Sequence, residues 1–183
     1  MAFPHRSLGT RSDKEKNPRV GQTRSGLRAL TRKMLFSMWV CHLDRLPTRS
    51  RLVSWGMQVS PLCVICSREV ETQYHLFLSC PFSRAIWDRV FVRLKLPPRL
   101  FQTWDDLILW MSTPNRTSLP ILRKLVAQAT VYAIWKQRNN MLHNSQVISS
   151  HEIFKQDERE IINSITARKQ RKKFRTLMSL WIM

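Results

Sequence analysis

The feature that most constrains how this chain can fold is a group of three cysteines and one histidine within eighteen residues. These residues, Cys63, Cys66, His75 and Cys80, follow the pattern C-x2-C-x8-H-x4-C. Three thiolates and one imidazole are the ligands of a closed tetrahedral Zn²⁺ site, in which no coordination position stays open for a water molecule. The pattern therefore predicts one structural zinc ion and not a catalytic one.

The predicted ion would matter for the stability of the whole region. Zinc binding contributes about 10–16 kcal/mol in isolated zinc-finger peptides, whereas a typical domain has only about 5–15 kcal/mol of total stability. Loss of the metal is therefore expected to unfold this part of the chain. The alternative is that the four residues are unrelated, with cysteines in the core and a histidine nearby by chance. The remaining cysteine, Cys41, lies on an apolar helical stripe and is expected to be an ordinary core residue.

The chain is strongly basic, with 31 Lys and Arg against 12 Asp and Glu and a formal net charge of +19. Such an excess of positive charge indicates which partners the chain can bind rather than how it folds. Nucleic acid is the commonest polyanion that binds chains of this kind, so RNA or DNA is the predicted partner. An anionic membrane surface, or solubility alone, is the alternative explanation of the charge. No small-molecule substrate is expected.

The sequence also indicates a reducing compartment. No apolar run reaches the roughly 18–20 residues of a membrane span, and the N-terminus lacks the apolar core of a secretory signal. In a reducing compartment, closely spaced Cys and His indicate a metal site before a disulfide. The nucleus or the cytoplasm is therefore expected. The basic N-terminus with Ser and Thr is similar to a transit peptide, although Asp13 and Glu15 count against organelle targeting.

The predicted fold class is mainly α, a small helical domain with a short zinc-pinned knuckle or hairpin. Residues 1–24 are polar and basic without periodicity and are expected to be a disordered arm. Residues 25–145 are predicted to form the zinc-binding helical domain, and residues 146–183 a basic C-terminal helix. The chain has only four glycines and no convincing strand alternation, so helices are favoured throughout.

Helical periodicity and capping signals place the elements more closely. From Ser25 onwards, apolar residues recur at helical spacing through Met34, Met38 and Cys41. Thr48 resembles the N-cap of a short helix. The knuckle itself is predicted for residues 60–74, followed by a helix over residues 75–92 that is interrupted at Pro81, and a long amphipathic helix is expected over residues 119–143.

The tryptophans are assigned by their position in these patterns. Four of them lie within apolar helical stretches and are predicted to be core residues: Trp39, Trp87, Trp110 and Trp135. Trp181 stands between Leu180 and Ile182 near the C-terminus and is predicted to belong to an exposed patch. Base stacking requires an exposed aromatic residue within a basic groove, and the sequence alone identifies none.

Two catalytic interpretations fail on the residues present. The segment around Cys63 and Cys66 is similar to the P-C-x-x-C half of nucleobase deaminases, but Leu62 separates Pro61 from Cys63 and no H-x-E motif precedes it. The acidic pair that follows Trp104 does not match a polymerase Tyr/Phe-x-Asp-Asp motif. Thr103 and Asp106 are better explained as the N-cap and N3 residues of a helix. No catalytic residue is predicted.

The zinc motif and its flanks resemble the zinc-binding region of plant LINE-type, non-LTR retrotransposon reverse transcriptases. The resemblance rests on RLPTRSRL (residues 45–52), CVIC, ETQYHLFLSC (71–80), a Trp seven residues after the last Cys, and IWKQRNNMLH (134–143). It covers roughly residues 27–145 and implies that Cys63, Cys66, His75 and Cys80 are the metal ligands. The family usually has Gly after the second Cys, where a knuckle favours a positive φ, but this chain has Ser67, so the resemblance implies a slightly strained knuckle.

Two groups of basic residues are the candidates for phosphate contacts. One group lies close to the zinc motif in sequence, and the other is near the C-terminus: Arg45, Arg49 and Arg51; Arg168, Lys169, Arg171, Lys172, Lys173 and Arg175. The second group could instead serve as a nuclear import signal or be a solvated helix face.

The predicted function is that of a non-catalytic zinc-binding module, derived from a retrotransposon reverse transcriptase, that binds RNA or DNA largely through phosphates. The reverse transcriptase itself is a possible partner. The alternatives are a protein-protein docking module of a retroelement polyprotein, or a non-functional remnant of one.

Overall fold

The computed structural model describes residues 32–113 and 119–182, without the side chains of Lys173 and Ile182. The predicted disordered arm, residues 1–24, lies outside these ranges. The described residues form α-helices joined by turns, with one π-helical turn and one 3-10 turn. In chain order they are α1 (32–42), α2 (Arg49–Ser54), the π-turn (His75–Ser79), α3 (Pro81–Arg93), α4 (Trp104–Ser112), α5 (Pro120–Asn144), α6 (Ser150–Thr166), the 3-10 turn (Lys172–Phe174) and α7 (Leu177–Ile182). The mainly helical prediction is confirmed.

The first helix buries the stripe that the sequence predicted. Met34, Met38 and Cys41 are all buried and belong to the hydrophobic core, so the assignment of Cys41 as a core residue is confirmed. The prediction that Trp39 is a core residue is wrong, because its side chain is 56% exposed. Trp39 follows the buried Met38 by one position, which is about 100° around the helix axis, and it therefore points away from the core.

The core is built mainly between α3, α5 and α6. α5 packs against α4 and α6, and α6 also packs against α3. α5 begins at Pro120, whose missing N–H and restricted φ suit the first turn of a helix. It ends at Asn144, before Ser145 in the left-handed conformation, so the predicted long helix is confirmed. This arrangement leaves the zinc motif at the side of the bundle, with the π-turn in contact with α3 and α5.

An aromatic cluster fills the space between α3 and α4. Trp87, Phe91, Phe101 and Trp110 lie with ring centroids 5.4–6.4 Å apart, and several pairs are edge-to-face. Such edge-to-face pairs stabilise a core beyond the area they bury. Trp87 and Trp110 are buried as predicted, whereas Trp135 is only half-buried.

The start of α4 has the predicted capping arrangement. The Asp106 backbone N–H donates to Thr103 Oγ1 at 3.1 Å, and the Thr103 backbone N–H donates to Asp106 Oδ2 at 2.9 Å. Both donors would otherwise lack a partner at the helix start. These backbone hydrogen bonds also lower the pKa of the Asp106 carboxyl group. Asp106 therefore has a structural role here, as the sequence interpretation proposed.

The C-terminal part differs from the predicted single basic helix over residues 146–183. α6 ends at Thr166, a turn and the short 3-10 turn follow, and α7 begins at Leu177. The break coincides with the closely spaced cations after Thr166, whose mutual repulsion at helical i, i+3 and i, i+4 spacing opposes a continuous helix. The prediction that Trp181 is exposed is also wrong, because Trp181 and Leu177 are fully buried in the core.

Across residues 32–113 and 119–182, no helix combines the length and the apolar character needed to cross a membrane.

Candidate metal centre

The segment between α2 and the π-turn forms the predicted hairpin. Leu62 and Val70 make an antiparallel bridge. On either side of the bridge, the Cys63 N–H donates to the Glu69 carbonyl at 2.7 Å and the Glu71 N–H donates to the Pro61 carbonyl at 2.8 Å. These bonds hold the loop that carries Cys63 and Cys66 in a compact turn.

The residue after the second cysteine has the backbone conformation that the family resemblance predicted for this position. Ser67 has φ of 54°, in the left-handed region where a side chain costs about 1–2 kcal/mol relative to glycine. The Ser67 N–H donates to the Cys63 carbonyl at 2.8 Å, which closes the turn. The chain thus retains the knuckle geometry with a serine where glycine would be less strained.

A π-helical turn positions the other two ligands, His75 and Cys80. His75 and Cys80 are five residues apart, and the Cys80 N–H donates to the His75 carbonyl at 2.7 Å. In a regular α-helix, residues five apart would point about 140° away from each other around the axis. The wider i→i+5 turn brings them onto the same side. At its start, Thr72 Oγ1 accepts a hydrogen bond from the His75 N–H at 3.0 Å.

The π-turn leaves two carbonyl groups without their usual helical donors, and side chains of α3 supply the replacements. The Cys80 N–H is used by His75, and Ser83 donates its hydroxyl to the Leu76 carbonyl instead. Pro81 has no N–H, and the Trp87 indole Nε1–H donates to the Phe77 carbonyl at 2.9 Å. The Trp seven residues after the last cysteine therefore satisfies the backbone of the metal-binding turn.

The four predicted ligands meet at one point. One ligand atom from each of Cys63, Cys66, His75 and Cys80 lies within 4.8 Å of all the others. Zn–S bonds of about 2.3 Å in a tetrahedron require sulfur–sulfur distances of about 3.8 Å, so small side-chain adjustments suffice. His75 Nε2 is already 3.2 Å from Cys66 Sγ. Three thiols and one imidazole are the donor set that Zn²⁺ prefers, so the four residues can hold one zinc ion.

His75 is oriented by two partners behind the ring. Its Nδ1 lies 3.0 Å from Glu69 Oε2 and 3.2 Å from Ser79 Oγ. Because a carboxylate can only accept, Nδ1 carries the proton, and the lone pair of Nε2 faces the sulfur atoms. Metal-bound histidines are commonly held in this way by a carboxylate. The orientation is thus set by Glu69 and Ser79, which the sequence analysis had not identified.

The neighbours of Cys63 stabilise its thiolate form. The hydrogen bond from the Cys80 thiol, assisted by the backbone N–H groups of Cys66 and Ile65, lowers the pKa of Cys63 to about 5 against the effect of burial. The same hydrogen bond, together with burial, raises the pKa of Cys80. Zinc binding would displace the protons that remain on the thiols.

A buried ion pair joins the hairpin to α5. Glu71 is completely buried, and its Oε1 accepts from Arg138 Nη2 at 2.8 Å and from Arg138 Nε at 3.1 Å. Its two carboxylate oxygens also accept the backbone N–H groups of Arg49 and Val64 at 3.0 Å and 2.9 Å. Arg138 further donates to the Pro47 carbonyl at 3.3 Å. This network ties α2, the metal-binding loop and α5 together.

The sequence alone indicates that Glu71 and Arg138 could be important, but not that they pair with each other. Glu71 and Arg138 both stand inside the two segments that carried the family resemblance. Each is a charged residue that lies close to apolar or aromatic residues. A buried charge needs a partner of opposite sign, but the partner, 67 residues away, can be identified only from the fold.

The basic residues near the zinc motif are used differently from one another. Arg45 is exposed. Arg49 donates from Nη1 to the Leu62 carbonyl at 2.9 Å and so supports the hairpin, while Arg51 pairs with Asp44 at 2.7 Å. Of these three, Arg45 is the side chain most available for a phosphate contact.

The C-terminal basic residues lie on the turn between α6 and α7. Arg168 is half-buried, donates to the Ser164 carbonyl at 2.9 Å and lies 5.7 Å from the Phe174 ring centroid. Burial and the charge of Arg171 lower the pKa of Arg168. Among the side chains of this cluster that the structure describes, which excludes Lys173, the exposed ones are Lys169, Arg171, Lys172 and Arg175. No hydrogen bond or ion pair within the described residues joins this cluster to the arginines near the zinc motif.

Comparison with known proteins agrees with the metal centre. Residues 15–87, less than half of the chain, match the family described as zinc-binding in reverse transcriptase. The matched range contains all four ligands and the π-turn, and it supports a reverse transcriptase zinc-binding domain in this part of the chain. The range ends at Trp87, so Arg138 lies outside it. No curated protein and no solved structure matches the chain.

Proposed function

We propose that this chain is a non-catalytic nucleic-acid-binding module that is stabilised by zinc and derives from a LINE-type, non-LTR retrotransposon reverse transcriptase. The family match supports the zinc-binding part of this proposal. All four ligand positions of the metal centre are filled by protein atoms, so a bound zinc ion would have a structural role. The fold would then present the basic residues to RNA or DNA phosphates.

The observation that carries the nucleic-acid part is the exposed basic cluster on the turn between α6 and α7. Lys169, Arg171, Lys172 and Arg175 lie within seven residues and are all exposed, and none is in an ion pair with a described carboxylate. Burial of Leu177 and Trp181 anchors the C-terminal side of this turn. Clustered cations on an anchored turn favour a polyanionic partner, to which they contribute sequence-independent phosphate contacts.

A salt titration of RNA and DNA binding tests this proposal. The logarithm of the association constant should fall linearly with the logarithm of salt concentration, by about 0.7–0.9 per phosphate contact. Arg171→Ala combined with Lys172→Ala should reduce that slope by about 1.4–1.8. Lys124→Ala combined with Lys155→Ala removes the same charge from exposed positions on α5 and α6 and should leave most of the slope intact. Absence of binding at low salt, or binding without salt dependence, would refute the proposal.

A further inference from the structure

α1 and α2 expose large aromatic side chains that the core does not use. Phe36 and Trp39 on α1 are 62% and 56% exposed, and Trp55 at the end of α2 is 60% exposed. We call these three residues the aromatic face. An exposed patch that combines several large apolar side chains can mark an interaction site.

Helix geometry groups the first two aromatic residues on the outer side of α1. Phe36 and Trp39 are three residues apart, and their ring centroids lie 5.9 Å apart. Arg32 precedes Phe36 by one turn and is exposed on the same side. The buried stripe of Met34, Met38 and Cys41 occupies the other side. The outer side of α1 therefore presents two rings next to a cation.

Trp55 lies at the end of the helix that follows α1 after a short connection. α1 and α2 are joined by residues 43–48, and the Arg51–Asp44 ion pair bridges this turn to α2. Arg51 lies one helical turn before Trp55, and both line the same surface cleft as Asp44. The aromatic face is thus carried by two consecutive helices, and the turn between them is paired with the second helix through Asp44 and Arg51.

The charge around the aromatic face favours a polyanion. Residues 32–57 contain five basic residues and a single acidic one, Asp44, and that carboxylate is already paired with Arg51. Arg32, Lys33 and Arg45 are exposed. A protein partner would need a strongly acidic surface to match, whereas single-stranded nucleic acid offers phosphates for the cations and unpaired bases for the rings.

We infer that the aromatic face stacks on the bases of single-stranded RNA or DNA while the neighbouring arginines and lysines contact its phosphates. This inference rests on the proposed nucleic-acid function and adds a second mode of contact to it. Duplexes keep their bases stacked on one another, so the aromatic face would select unpaired strands.

The test compares two single strands that differ only in their bases. Binding of the full zinc-loaded chain to an oligothymidylate and to an abasic oligonucleotide of equal length is measured by fluorescence anisotropy at one low salt concentration. Removal of one stacking aromatic typically weakens binding by about tenfold, so oligothymidylate should bind at least about tenfold more tightly than the abasic strand. Trp39→Ala and Trp55→Ala should each reduce this preference without changing abasic binding, and Trp39→Phe should retain it.

Controls separate this inference from the proposed function and from a protein interface. Leu109→Ala removes another exposed apolar side chain, on α4, and should not change the preference. Equal affinity for the two strands, or an equal loss on both in the Trp variants, would refute base stacking while leaving phosphate binding in place. If neither strand binds, both proposals fail. Self-association that Trp39→Ala abolishes, with unchanged affinity for oligothymidylate, would also refute the inference.

Discussion

Glu71 and Arg138 form a fully buried ion pair, with Glu71 Oε1 and Arg138 Nη2 2.8 Å apart. Arg138 also lies 5.0 Å from the Trp135 ring centroid. Since Glu71 additionally accepts the backbone N–H of Val64, inside the Cys63–Cys66 turn, the pair connects the metal-binding loop directly to the longest helix of the bundle. The position of the metal centre in the fold thus depends on an interaction that lies partly outside the matched family range.

Replacement of one partner of this pair should destabilise the protein strongly. Arg138→Met leaves the Glu71 carboxylate buried without its counter-charge, and we expect the free energy of unfolding to fall by about 3–5 kcal/mol. Arg51→Met is the matched control. The Asp44 side chain of the Arg51–Asp44 pair is largely exposed, so this pair should contribute less than about 1 kcal/mol to the free energy of unfolding. Urea unfolding in the presence of zinc measures both values. Similar losses in the two variants would show that the buried pair does not have this role.

A single substitution in the metal-binding loop should stabilise the protein. Ser67 has a positive φ, and Ser67→Gly should raise the free energy of unfolding by about 1 kcal/mol because the left-handed conformation no longer costs steric energy. Ser60→Gly, in the same hairpin but without a positive φ, should instead lower it by about 0.4–1 kcal/mol through greater freedom of the unfolded chain, and it also removes the long hydrogen bond from the Leu62 N–H to Ser60 Oγ at 3.4 Å. Thermal unfolding of the two variants distinguishes these effects. A loss of stability in Ser67→Gly would show that the positive φ of Ser67 does not strain the folded protein.

Asp157 should make stability depend on pH. It is buried on α6 and accepts a hydrogen bond from Thr130 Oγ1 at 2.8 Å, while its Oδ1 has no partner in the described part of the chain. Burial, opposed by the Thr130 hydrogen bond and reinforced by the charge of Glu160, raises the pKa of Asp157 to about 7. The unfolded value is about 3.9, so the folded state binds the proton more tightly. Stability should therefore fall as the pH rises from about 4 to about 7 and level off above that range.

The variant Asp157→Asn isolates this effect. It cannot ionise, so its stability relative to the parent should increase from pH 5 to pH 8 by about 2–3 kcal/mol, because about two pKa units of the difference fall in this interval at about 1.4 kcal/mol each. Protonation of the zinc ligands affects both proteins and cancels in the difference. Urea unfolding at several pH values measures it, and parallel pH profiles for variant and parent would be the contrary result.

The partner behind His75 should tune zinc affinity. Glu69→Ala removes the carboxylate that accepts the His75 Nδ1 proton at 3.0 Å, and loss of such a partner typically lowers metal affinity by about 10–100-fold. Competition with a chelator measures the affinity. Glu158→Ala removes a carboxylate that pairs with Arg93 instead and should have no effect on zinc. An unchanged affinity in Glu69→Ala would mean that Ser79 alone orients the ring.

The features that depend only on residues close together in sequence could be predicted from the sequence. The ligand spacing, the break at Pro81 and the Thr103–Asp106 cap all follow from short-range geometry, and the structure confirms each of them. The positive φ of Ser67 also followed from a local comparison of residue types with the family. These features need no knowledge of how distant elements pack.

The features that depend on packing could not be predicted in the same way. Apolar periodicity indicated a helix around Trp39 but did not show that the ring lies on its outer side, and it gave no reason for Trp181 to be buried. The Glu71–Arg138 pair joins residues from two distant segments. In each case the outcome depends on which helix faces which, and this is decided by the whole core rather than by a local pattern.

Metal content is the measurement that bears most directly on the central claim, that Cys63, Cys66, His75 and Cys80 hold a structural zinc ion. The purified full chain should contain about one zinc per molecule, as expected for a single closed site. Cys80→Ser should release the metal and lower the helicity seen by circular dichroism, whereas Cys41→Ser, at a buried cysteine outside the cluster, should keep both the metal and the helicity. A Cys80→Ser variant that retains its zinc and its fold, or a parent chain that binds no zinc, would contradict the claim.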